Sequence, residues 1–295
     1  MDPAECTLDI CPIEDAYIQY QPTIAGNSLY LALFGLLLVA QAILTPVYRT
    51  WWFSGSMVAG LLLEVLGYVA RILFHDDPFS FDYFLMNLIC LSLGPVFFCA
   101  ALYFLLGRIV IIYRGEAISR LKPRNYAIVF VSCDVVALML QSVGGAMTST
   151  ADDADGRAVG TNIMIAGLAA QVAAMTAFIA LAAEFAWRLR RRSGQPTAAD
   201  SEEKDEYTEI REDRWWKVFL AGLVVATITI YTRSIFRVVE LNGGYSSELA
   251  NDEVTFMILE GAMVSIACIC LTVLHPGRAL GTRRKKDSEP LMERS

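Results

Sequence analysis

The apolar residues of this chain come in long blocks separated by short polar breaks. A helix needs about 20 apolar residues to cross a hydrocarbon core. Runs of that length occur seven times, at 27–46, 53–74, 83–107, 126–147, 160–187, 215–238 and 255–274. A helix that is apolar on every side has no face to offer water, and lipid is its natural surrounding. The expected architecture is therefore all-α: a polytopic membrane protein with a seven-helix transmembrane domain over 27–274, an N-terminal tail, 1–26, and a C-terminal tail, 275–295.

The breaks carry the orientation, because Lys and Arg concentrate in cytoplasmic loops. The first break holds Arg49, the third (RIVIIYRGEAISRLKPR) five bases, the fifth (188–214) seven and the C-terminal tail six, together 19 of the 24. The N-terminal tail and the breaks HDDPFSFD, TSTADDADGRAV and LNGGYSSELANDE hold one base, Arg157, among many acids. All five tryptophans (Trp51, Trp52, Trp187, Trp215, Trp216) fall at the base-rich ends of the blocks, where amphipathic rings prefer the interface. The N-terminus is expected outside and the C-terminus in the cytoplasm.

The first 26 residues contain five acids, no base and no apolar core of a cleavable signal, so the first span is expected to insert itself. Cys6 and Cys11 lie in this tail and are a possible disulfide if it is extracellular. Cys90, Cys99, Cys133, Cys268 and Cys270 fall in apolar blocks and read as small packing residues. SGQPTAADSEEKDEYTEIRED, within 188–214, reads as a disordered linker. The basic cluster of the C-terminal tail suits either anionic lipid or simple solubility.

Composition removes several function classes. No basic folded domain remains to bind nucleic acid. The two histidines, His75 and His275, sit at opposite ends of the expected bundle, which argues against a zinc hydrolase with three converging ligands. No lysine lies deep in a span for a retinal Schiff base, and no G-x-x-x-x-G-K-[ST] loop is present for nucleotide hydrolysis. No cofactor is implied. Without a nucleophile–base or metal pattern, the chain is not expected to be an enzyme.

What stands out is charge inside the blocks, since an acid or base at a helix centre costs roughly 2.5–3.5 kcal/mol on insertion scales. Glu64, Tyr68 and Arg71 are spaced i, i+4, i+7 and share a helix face, as do Arg233, Arg237 and Glu240 in RSIFRVVE. Asp134 and Gln141 lie seven apart on one face; Gln171 and Glu260 come from the fifth and seventh spans. At about 1.5 Å per residue, Arg71, Arg233 and Glu260 belong to the outer third of the membrane and Glu64 and Asp134 to its middle. Five helices thus point charge of both signs towards what can be one cavity open to the outside. The plainer readings are that Arg237 and Glu240 snorkel to the interface and that Arg71, Arg233 and Glu260 form a structural salt-bridge knot. Glu184, beside Trp187 and Arg188, reads as interfacial. Gly94–Pro95 falls inside the third span, where proline kinks a helix, as a hinge or a fixed bend. Gly144–Gly145, and Ser56 with Gly60, suit close helix packing.

YRTWW (48–52), EVLGYVARIL (64–73) followed by DPFS, LGRI (106–109), DVVALMLQSVGG, RSIFRVVE and HPG (275–277) together resemble the fungal lipid-translocating exporter family. Its members are seven-span proteins linked to aminocholesterol resistance and sphingoid-base release. The resemblance covers about residues 17–277. It implies a plasma-membrane exporter or floppase of lipids or other amphiphiles, whose partners are membrane lipids and an amphiphilic substrate. On that reading a protonated amine suits Glu64 and Asp134, and an anionic head suits Arg71 and Arg233. The alternative is a seven-helix receptor of extracellular amphiphiles, although the chain has neither D-R-Y at the third span nor N-P-x-x-Y in the seventh.

Overall fold

The computed structural model describes residues 20–115, 119–151, 153–193, 211, 213–243 and 252–280. Among them every regular element is a helix: α1 (Ile24–Tyr48), α2 (Trp51–Asp76), α3 (Phe81–Ile112), α4 (Pro123–Thr150), α5 (Ala154–Ser193), α6 (Arg214–Asn242), α7 (residues 253–273) and the short α8 (Pro276–Leu280). Seven of these are long and apolar enough to cross a membrane, as the blocks require. Most run past the apolar blocks, because polar end residues still satisfy backbone groups by continuing the helix or capping it. Asp213 accepts from the Trp215 N–H at 3.2 Å and Asp252 from the Val254 N–H at 3.2 Å, the capping bonds that start α6 and α7. The linker expected at 188–214 begins inside α5, and most of it, like Cys6 and Cys11, lies outside the described residues.

Consecutive helices pack side by side, and α1 closes against α7, so the bundle forms a ring. The central helix α3 also touches α5 and α6, and 61% of its apolar window is buried against 11% for α1. The amphipathicity is inverted relative to a soluble bundle. Leu36, Ile43, Val136, Met139, Val224 and Ile228 are exposed, whereas Asn27, Gln41, Glu64, Asp134, Arg233 and Glu260 are buried. Lipid accepts the first set without cost and cannot hydrogen-bond the second, which must turn inward.

Two details shape the site. Residues Met257–Ala262 of α7 form a π-helical turn, a device that rotates one segment of a helix against the next. Tyr30 of α1 donates its hydroxyl to the Met257 carbonyl at 2.8 Å, so a carbonyl of that turn has a partner. Pro95 lies inside α3 and gives Leu91 no N–H four residues on.

Candidate functional site

Charge from three helices meets beside α3, towards the end of the bundle with the acidic loops. Glu64 and Arg71 on α2, Arg233 on α6 and Glu260 on α7 are each no more than 3% exposed, and Tyr68 is fully buried between the two α2 charges. Arg233 Nε donates to Glu260 Oε1 at 3.1 Å, and its Nη2 reaches the same oxygen. Nη2 also donates to the Leu91 carbonyl at 2.6 Å. That is the carbonyl left free by Pro95, so the guanidinium mends a gap in the backbone ladder of α3.

Glu64 reaches the cluster because residue 94 is glycine. A Cβ there would stand 2.5 Å from Glu64 Oε1. This oxygen has no hydrogen-bond partner among the described residues, nor do the Tyr68 hydroxyl and Glu260 Oε2. The nearest cation, Arg233, already serves Glu260. Arg71, seven residues along α2 and about 10 Å away by helical rise, stands 3.7 Å over the centroid of the Phe256 ring and donates to the Tyr20 hydroxyl. Glu64 is thus a carboxyl in the membrane interior with no cation of its own, an arrangement that bilayer energetics penalise.

Residues 20–23 lie across the acidic end above Arg71. Besides the Tyr20 contact, Gln21 donates to the His75 carbonyl at 2.9 Å, His75 Nδ1 donates to the Pro22 carbonyl at 2.7 Å, and Thr23 donates its N–H and hydroxyl to Glu253 Oε1 at 2.7 and 2.8 Å. Burial holds the Tyr20 hydroxyl above the ordinary tyrosine pKa, although the neighbouring Arg71 pulls the other way. The expected outward-open cavity is a closed cluster in this structure.

The remaining sequence candidates separate. Arg237 and Glu240 pair at 2.7 Å with Arg237 also donating to Ser92 at 3.2 Å, which makes a second ion pair one turn from Arg233. Gln141 and Gln171 meet at 3.5 Å between α4 and α5, away from the charge cluster. Asp134 sits on α4 beside Cys99 and Tyr103, which lie round α3 from the Gly94 face that meets Glu64. Glu184 pairs with Arg188 at 2.5 Å and Arg120 at 2.8 Å near the base-rich end. Among the described residues no group of three or more His, Cys, Asp and Glu is placed to hold a metal ion.

Several participants carry no charge and escape a search for charge. Phe256 is four residues before Glu260 and shares its helix face, and Tyr30 and Phe34 are spaced i, i+4 on α1, with rings 5.4 and 5.5 Å from that of Tyr68. Aromatic spacing of this kind is their only trace in the sequence. The role of the Leu91 carbonyl follows from Pro95 once a donor is known to stand opposite.

The chain matches the family model described as RTA1 like protein over residues 57–283. It is 32% identical over 283 residues to the sphingoid long-chain base transporter RSB1 of Saccharomyces cerevisiae, covering 89% of this chain and 74% of that protein. It is also similar to two further Saccharomyces cerevisiae proteins, RTM1 (27% identical, 72% of this chain and 64% of the relative) and RTA1 (26% identical, 82% and 72%). No solved structure matches. With a family model spanning most of its length and a relative at this identity, the chain belongs to the RTA1-like family of fungal lipid-translocating exporters.

Proposed function

We propose that this protein carries amphiphiles with a cationic head, sphingoid long-chain bases foremost, across the membrane, and that Glu64 receives the ammonium group. The observation that carries this reading is a pair of unpartnered oxygens, Glu64 Oε1 and the Tyr68 hydroxyl, one turn apart in the membrane interior. An ammonium supplies the charge that Glu64 lacks and the donors that both oxygens can accept. Charge-assisted bonds of this type are roughly twice as strong as neutral ones. The name of the relative RSB1 points to the same substrate class. In this reading the acidic end faces outward at the plasma membrane, the acyl chain stays in lipid, and the closed cluster is the occluded stage of alternating access. Export of toxic amphiphiles, and hence resistance, follows from the same site.

The test is transbilayer movement of a fluorescent sphingoid base in liposomes holding only the purified protein, with a fluorescent phospholipid alongside. Wild-type protein is expected to move the base. Glu64→Gln is expected to lose at least tenfold in rate while remaining monodisperse. Normal movement by that variant removes Glu64 from the mechanism, and no movement of either probe by wild-type protein removes the transporter reading.

A further inference from the structure

The head-group site leaves one buried carboxyl unused. Asp134 on α4 is 1% exposed, its hydroxyl neighbour is Tyr103 of α3, and no ion pair holds it among the described residues. Its neighbours can be named by element. From α3 come the Cys99 thiol and the Tyr103 hydroxyl. From α5 come Met175, 3.9 Å from the Tyr103 hydroxyl, and Phe178, neither of which titrates. On α6 Arg233 faces the same side of α3 as Cys99 and is held by Glu260 and the Leu91 carbonyl. On α4 itself Phe130 lies one turn away, and Cys133 faces outward.

The walls set what can bind. Tyr103, Phe130 and Phe178 pack ring against ring, with centroids 4.7, 5.3 and 5.5 Å apart. Three rings at these separations are in contact, and Tyr103, the one beside Asp134, is itself fully buried. A proton needs no space. A buried carboxyl with a hydroxyl beside it and no cation of its own among the described residues fits a proton.

We propose that Asp134 is the coupling-proton site of the exporter, distinct from the ammonium site at Glu64; this rests on the transporter reading. One ammonium leaves through Glu64 as one proton enters through Asp134, so the exchange moves no net charge and requires no redox partner. The two sites touch the same helix. Gly94 of α3 packs against Glu64, Cys99 and Tyr103 of α3 stand by Asp134, and Pro95 lies between them. A change in the bend of α3 at Pro95 therefore alters the surroundings of both carboxyls together, and this gives the expected hinge a task.

The experiment uses the same liposomes with an imposed pH gradient, a fluorescent sphingoid base and a pH dye inside. With one proton exchanged per base, a gradient of one pH unit shifts the steady-state distribution by up to about tenfold, and adding base drives proton flow. Asp134→Asn is expected to let base move down its own gradient while losing both the tenfold shift and the proton flow; Asp134→Glu is expected to keep them. A second measurement needs no variant: a hydrophobic carbodiimide, which reacts with the protonated acid, is expected to label Asp134 in wild-type protein and stop proton flow. The proposal is overturned if wild-type transport ignores the gradient, if Asp134→Asn remains coupled, if a monodisperse Asp134→Asn loses gradient-free movement as Glu64→Gln does, or if the carbodiimide never labels Asp134. In the first of these cases base still moves and the transporter reading survives. A wild-type protein that moves no base at all sinks both.

Discussion

A missing methyl group and a missing proton, on adjacent residues, organise the charge cluster. Gly94 leaves room for the Glu64 carboxyl, and Pro95 leaves the Leu91 carbonyl for Arg233. Their replacements predict a separation of stability from function. In Gly94→Ala the new Cβ meets the far end of a flexible side chain at 2.5 Å. The carboxyl can swing aside, and alanine favours the helix by about 0.5–1 kcal/mol. The melting temperature in detergent is expected to stay near wild type while base movement falls at least tenfold. Pro95→Ala restores an N–H that competes for the Leu91 carbonyl. The regained helix bond and the acceptor lost by Arg233 offset each other in stability, and transport is expected to fall. A Gly94→Ala protein with full transport would show that the position of Glu64 at this depth does not matter.

At the scale of elements, α4 and α5 meet through glycines. A Cβ on Gly144 would lie 2.6 Å from both the Gly160 carbonyl and the Met164 N–H, and one on Gly167 2.8 Å from the Ala137 carbonyl. These neighbours are backbone and cannot turn away. Gly144→Ala must push the helices apart, an overpacking cost of about 1–3 kcal/mol. Gly145 has only Met164 Sδ nearby, at 3.9 Å. Gly145→Ala is expected to be neutral or to stabilise by up to about 1 kcal/mol. Melting curves of the two variants test this, and equal behaviour would mean the interface is not close-packed. The sequence shows both glycines and cannot distinguish them, because only the phase of α4 against α5 decides which one faces a backbone. The same limit applies at the charge cluster. The i, i+4, i+7 spacing of Glu64, Tyr68 and Arg71 makes one face of α2 legible, as does that of Arg233 and Arg237 on α6. Nothing in the sequence says that Arg233 will meet a carbonyl 142 residues earlier, since that contact exists only after the ring has closed. The π-helical turn at Met257–Ala262 is hidden for a similar reason. It changes the hydrogen-bond register and leaves the apolar pattern of the segment unchanged.

Across the whole molecule, the strongest asymmetry is the placement of its bases, and it sets the expected orientation of the bundle in the membrane. Nineteen of 24 Lys and Arg fall in the segments that share one end of the bundle, and the tail with Cys6 and Cys11 belongs to the other. Translocation of basic segments is unfavourable, so the base-rich end should be cytoplasmic. On that orientation Arg71 and Tyr20 stand between Glu64 and the outside of the proposed pathway. A fixed cation there hinders an ammonium equally in both directions, so any direction of net movement has to come from a gradient and not from Arg71 or Tyr20. Labelling of intact cells with a membrane-impermeant maleimide tests the orientation directly. Cys6 and Cys11 are expected to react from outside, and only after an impermeant reductant if they form a disulfide, whereas Ser201→Cys in the fifth loop is expected to react only after permeabilisation. The reverse pattern would invert the molecule. Arg71 and Tyr20 would then stand at the cytoplasmic end of the cluster, and the free side of the proposed ammonium site at Glu64 would face the outside.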